Sequence, residues 1–169
     1  MPSSPPSMRS SPSVRRPDRM RVVLDTNVCL DAFVFDDPRA ATLVAALVAG
    51  TVEAVTRVDC RDEWLGVLAY PALKLDEAQR AEAVLRFDRL VTLLDGSGLD
   101  EAGATPGASP GVALPRCRDP DDQKFLELAA ASGASVLFSR DAEVLRLARR
   151  TARDGLFAIM KPEDWSGPG

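Results

Sequence analysis

Residues 21–27 read Arg21-Val22-Val23-Leu24-Asp25-Thr26-Asn27. The apolar run is a short buried strand, Arg21 to Leu24, and Asp25 leaves its carboxyl end. Working outward, Asp37-Pro38 supplies a helix N-cap and a first-turn proline, and Ala40 to Ala49 reads as a helix stopped by Gly50. Val52 to Thr56 is a second strand, and a helix from about Asp59 to Ala69 is ended by Pro71. Asp76 to Leu90 reads as a long amphipathic helix with Ala78, Ala81, Val84 and Leu85 on one side, followed by a strand at Val91 to Leu94. The same alternation resumes with a helix at Pro120 to Ala131, a strand at Ser135 to Phe138, a helix at Ala142 to Arg150 and a last strand near Leu156 to Ile159. Strands alternating with helices predict an α/β fold: a three-layer α/β/α sandwich around a mainly parallel sheet of four to five strands. In such sheets ligands sit at the carboxyl ends of the strands.

The composition narrows the chemistry. With 169 residues, 46% hydrophobic and 27% charged, the chain reads as one soluble globular domain. No apolar run approaches the roughly 18 residues of a membrane helix, and the polar start lacks the apolar core of a signal peptide, so a cytoplasmic location and no membrane partner are expected. Cys29, Cys60 and Cys117 are scattered and read as reduced thiols rather than a disulfide framework or a thiolate zinc site. The chain contains no histidine, which excludes Ser-His-Asp and Cys-His catalysis, imidazole acid–base chemistry and histidine-ligated zinc. Carboxylates are plentiful. Residues 1–21 hold five arginines and one aspartate, leaving 16 basic against 24 acidic residues, net −8, in the body. An anionic substrate would need bound cations or a local arginine cluster.

Residues 2–17 contain six serines and five prolines, too little apolar surface to offset the entropy of ordering, so 1–19 read as a disordered tail whose arginines are a solvated charge run. Residues 20–165 form the predicted domain, with 95–116, rich in glycine and proline, as a long exposed loop and 166–169 as a disordered end.

The strand-end rule sorts the acids. Asp25 and Asp141, in Val136-Leu137-Phe138-Ser139-Arg140-Asp141, both leave strand ends. Glu63 lies on the helix after the second strand, while Asp119, Asp121 and Asp122 cluster where another helix begins. Carboxylates gathered from separate segments repel one another and require a cation, and an all-oxygen set selects Mg2+ or Mn2+. Each residue also has a plainer reading. Asp119 before Pro120 is what a helix cap looks like, Asp141 can cap the helix at Ala142, Glu63 can face solvent, and Asp25-Thr26-Asn27 can form an Asx turn.

As a set, these residues resemble the PIN-domain ribonuclease family, in particular its single-domain bacterial members that act as toxins of toxin–antitoxin systems. The resemblance rests on Val22-Val23-Leu24-Asp25-Thr26-Asn27-Val28, the helical Glu63, the segment Cys117-Arg118-Asp119-Pro120-Asp121-Asp122-Gln123-Lys124-Phe125-Leu126-Glu127, and Ser139-Arg140-Asp141, in that order. It implies that Asp25, Glu63, Asp122 and Asp141 are the catalytic, metal-holding acids for Mg2+ or Mn2+. Thr26, Asn27, Asp119, Asp121 and Ser139 would support that site. It further implies hydrolysis of RNA phosphodiesters by metal-activated water, an antitoxin partner and a homodimer. Arg140, Arg118, Arg61 and Arg57 are candidates to hold RNA phosphates, against the plainer reading of surface charges paired with nearby acids.

Two other readings compete. A haloacid-dehalogenase-like phosphatase also places an aspartate after its first strand, but the second aspartate that its chemistry needs is Asn27 here. The other is a catalytically silent acidic binding module.

Overall fold

A computed structural model describes residues 19–94 and 113–168. Its centre is a five-stranded sheet in the order β3-β2-β1-β4-β5, all parallel: β1 Met20–Leu24, β2 Val52–Thr56, β3 Val91–Leu93, β4 Val136–Phe138 and β5 Ala158–Met160. Both faces are covered, so successive strand residues enter opposite cores. Val22, Leu24, Ala54, Val136 and Phe138 pack on one side with α1 (Thr26–Phe33), α2 (Ala41–Ala49) and α4 (Glu77–Leu90). Val23, Val55, Leu137 and Ile159 pack on the other with α5 (Gln123–Ser132), α6 (Ala142–Leu145) and α7 (Ala148–Arg153). Between them, α3 (Val58–Leu68) sends Trp64 into the first core and Cys60 into the second. This is the α/β/α sandwich expected from the sequence, with every strand parallel.

The chain runs from β1 outward through β2 to β3, then returns to build β4 and β5 on the opposite side of β1. The order therefore reverses between β1 and β4, and a crevice opens at their carboxyl ends. The register Leu24↔Phe138 brings the residues that follow each strand side by side.

Three local readings are corrected. The stretch after Asp25 is not a free turn but α1, for which Asp25 is the N-cap, its side chain accepting from the Thr26 N–H. On α4, Ala78, Ala81 and Leu85 are exposed, and the buried positions are Ala83 and Phe87 with Val84 half-buried. Phe87 turns inward because Phe33 and Trp64 offer it ring contacts at 5.9 and 5.3 Å. That three-ring cluster also fixes α3; removing the Trp64 side chain should cost about 3–5 kcal/mol. The single helix expected at 142–150 is two short ones, and Thr151, fully buried, lies in the second.

The helix ends follow the sequence signals. Asp76 and Gln79 form a capping box on α4, and Gly50 and Gly133 close α2 and α5 in the left-handed conformation. Arg21 pairs with Glu53 across the β1–β2 register at 3.2 Å. The three cysteines are free and buried. Residues 1–18 and 95–112, which include most of the expected tail and loop, lie outside the described residues. Among the described residues, no helix is long and apolar enough to cross a membrane.

Candidate metal centre

Asp25 is built into the junction between β1 and β4. Its backbone N–H donates to the Phe138 carbonyl at 2.9 Å. One carboxylate oxygen accepts from the Thr26 N–H and the other from Ser139 Oγ, both at 2.6 Å. Ser139, fully buried, in turn accepts from the Asp141 N–H at 3.0 Å. One aspartate thus starts α1 and, through Ser139, fixes the backbone that carries Asp141. Burial pushes the Asp25 carboxyl up to about 6; the Ser139 and Thr26 bonds oppose this, and Glu63 and Asp141 add repulsion.

The second half of the site is the 3-10 turn Pro120–Asp122 that leads into α5. Asp119 caps this turn, accepting from the Asp121 N–H at 3.0 Å. Asp141 caps α6, accepting from the Glu143 N–H at 2.8 Å. Asp122 lies between them, only 8% exposed, and its Oδ2 is buried with no hydrogen-bond partner. Carboxylate oxygens of Asp119, Asp122 and Asp141 lie within 4.8 Å of one another. Burial pushes the Asp122 carboxyl up to about 7, and the charges of Asp25, Asp141 and Asp119 add to the shift. The capping reading and the ligand reading are therefore compatible. A cap uses one oxygen of Asp119 and one of Asp141, and each carboxylate keeps a second.

The other residues named from sequence are arranged around this cluster. Glu63 is held from two sides, by Thr26 Oγ1 donating to it at 2.5 Å and by Lys124 Nζ at 2.6 Å, and stands outside the group of three. Asp121 is exposed; its carbonyl accepts from Lys124 Nζ. Asn27 accepts from the Arg140 N–H at 3.3 Å and so ties α1 to the β4 end.

The arginines are mostly committed. Arg57 pairs with Asp59 at 2.7 Å and Glu127 at 2.9 Å, and Arg61 with Asp88 at 2.8 Å. Arg140 is clamped between Asp31 and Glu163. Arg118 is exposed and has no ion-pair partner among the described residues.

Sequence reasoning missed Lys124 as the partner of Glu63 and Asp31 as the partner of Arg140. Lys124, one turn after Asp121 on an acidic helix start, was the available signal for the first; nothing local marks the second, 109 residues apart. Asp119, expected only as support, is one of the three clustered acids.

The donor set fits a hard divalent cation. It is all oxygen and carries three carboxylates, one of them with a buried, unpartnered oxygen. Lys124, the ammonium beside the site, is already paired with Glu63. Asp119, Asp122 and Asp141 are the residues that would hold the ion.

A PIN domain sequence profile matches residues 21–143, which contain every one of these carboxylates. No curated protein matches the chain at a significant level. The crystal structure of VapBC2 from Rickettsia felis bound to a DNA fragment from their promoter is similar over 83% of this chain and 97% of that chain, with a TM-score of 0.48 and 15% identity. With the profile covering most of its length, the chain belongs to the PIN domain family.

Proposed function

We propose that this protein is a Mg2+- or Mn2+-dependent endoribonuclease that hydrolyses phosphodiester bonds of single-stranded or structured RNA, and that it serves as the toxin of a toxin–antitoxin pair. Membership of the PIN domain family supports a nuclease. The observation that carries metal dependence is the Asp122 carboxylate, buried and half unpartnered within 4.8 Å of the acids of Asp119 and Asp141.

Bound there, a divalent cation supplies a Lewis acid that lowers the pKa of water and offsets charge on a phosphodiester under attack. The chain does the positioning. Asp25 works through Ser139, whose Oγ holds the Asp141 N–H, so the direction of the Asp141 carboxylate is fixed from β1. Thr26 and Lys124 keep Glu63 beside the cluster. With no histidine in the chain, a proton leaving the attacking water has only carboxylates and solvent to accept it.

The test is cleavage of a labelled single-stranded RNA with Mn2+ by wild type and Asp122→Asn. Metal-dependent cleavage by wild type and its loss in the variant are expected. Equal cleavage by both would remove the activity from this site. Hydrolysis of p-nitrophenyl phosphate with no RNA cleavage would favour a phosphatase instead. A small antitoxin and a homodimer belong to the same proposal. Sedimentation of the purified chain should then report twice its 18.1 kDa mass.

A further inference from the structure

Several arginines are committed to close ion pairs. Arg21, Arg57, Arg61 and Arg140 have side chains between 15% and 27% exposed, each in an ion pair of 3.2 Å or closer. In the turn after α6 and along α7 the situation is reversed. Arg146, Arg150 and Arg153 are 63%, 51% and 73% exposed, and their nearest acids, Glu143 and Asp154, lie at 3.4 to 3.9 Å. Arg149 is exposed, with no ion pair among the described residues. Residues 146–153 read Arg-Leu-Ala-Arg-Arg-Thr-Ala-Arg, four arginines and no acid, in a chain body of net −8.

Their spacing puts them on one face. Val144, Leu147, Ala148 and Thr151 are buried or half-buried against β5 and the second core, so positions 146, 149, 150 and 153 form the outer stripe. The stripe begins one turn past Asp141, which caps α6 and is one of the three clustered acids. It runs about 10 Å along the helical path, the rise of about three nucleotides of a strand.

We propose that this arginine face is a track for the sugar–phosphate backbone of a single-stranded RNA, leading from the carboxylate site down the outer side of α6 and α7. The proposal rests on the nuclease reading of that site. A protein partner is disfavoured because the stripe offers no large apolar centre, Val144, Leu147 and Ala148 being turned inward. No aromatic side chain lies in 142–153, so the track holds phosphates without stacking bases and does not select sequence. Its exposed charge supplies what the acidic body lacks, a place for a polyanion to dwell next to a site that repels it without metal.

The experiment measures binding of a fluorescent 12-nucleotide single-stranded RNA by anisotropy across a salt series, in EDTA so that the strand is not cut. The variant carries Arg146→Gln, Arg149→Gln, Arg150→Gln and Arg153→Gln together, all at exposed positions; a companion carries Lys at all four. The Gln variant should bind at least tenfold more weakly at low salt, and its salt slope should fall by up to about 3, at about 0.7 per lost phosphate contact. The Lys variant should stay close to wild type. Hydrolysis of bis(p-nitrophenyl) phosphate with Mn2+, a diester too small to reach the stripe, should be equal in all three proteins. An unchanged slope in the Gln variant overturns the track, as does a Lys variant as weak as the Gln variant, or tighter binding of wild type to duplex DNA of the same length. If wild type hydrolyses neither the small diester nor RNA while the slope falls as expected, the nuclease reading fails and the track stands.

Discussion

Asp25 and Asp122 are both buried aspartates at the same end of the sheet, and they are held in opposite ways. Asp25 has a donor on each oxygen, the Thr26 N–H and Ser139 Oγ. Asp122 has a buried oxygen with no partner and two further acids close by. The first arrangement starts α1 and, through Ser139, orients the backbone of Asp141. The second costs stability, which a bound cation would offset. The contrast distinguishes a carboxylate with a donor on each oxygen from one with an unpartnered oxygen, among residues that look alike in sequence.

Activity gives the largest way to break this contrast. Asp122→Asn keeps size and polarity but removes the charge, and RNA cleavage with Mn2+ should fall by at least about 100-fold, a loss of about 2.7 kcal/mol in transition-state stabilisation. Stability comes next and should point the other way. Asp25→Ala removes a helix cap and leaves Ser139 without its acceptor, so chemical denaturation should show a loss of about 2 kcal/mol. Metal-free Asp122→Asn should instead be more stable than wild type at pH 7.5, by about 1 kcal/mol or a few degrees in Tm. If both variants are destabilised alike, the distinction between the two aspartates is wrong.

The pH dependence is a smaller effect with a definite sign. Asp25 and Asp122 ordinarily titrate near 3.8 but are pushed up to about 6 and about 7 in the fold. The folded chain therefore holds protons that the unfolded chain has released. Stability from these groups is full below about pH 4 and is lost as pH rises through about 7. Melting curves in EDTA should show Tm falling across that window, with a shallower fall for Asp122→Asn. The smallest effect concerns Ser139→Ala, which should cost about 1 kcal/mol in denaturation for the lost bond to Asp25.

Much of this architecture is legible in the residues themselves. The apolar runs ending at Asp25, Thr56 and Phe138 mark strands because each is short, branched and followed by polar residues, and the acids after them fall at the crevice by the topology alone. Gly50, Pro71 and the Asp76 capping residue bound helices through local backbone chemistry. What escaped was decided at long range. The inward face of α4 depends on Phe33 and Trp64, which meet Phe87 only in the fold. The commitment of Arg57 to Glu127 and of Arg140 to Asp31 joins residues 70 and 109 apart. Asp119 was legible as a cap and as support for the site; its capping bond is real, and a cap motif says nothing about the second oxygen.

The central claim is that Asp119, Asp122 and Asp141 form a preformed divalent-cation site. Calorimetric titration of Mn2+ into the metal-free protein at pH 7.5, for wild type and Asp122→Asn, tests it most directly. Saturable binding by wild type is expected, with a gain of about 2.7 kcal/mol in stability at 100 times Kd, and its loss in the variant. Equal binding by both proteins, or none by wild type at millimolar Mn2+, would contradict it.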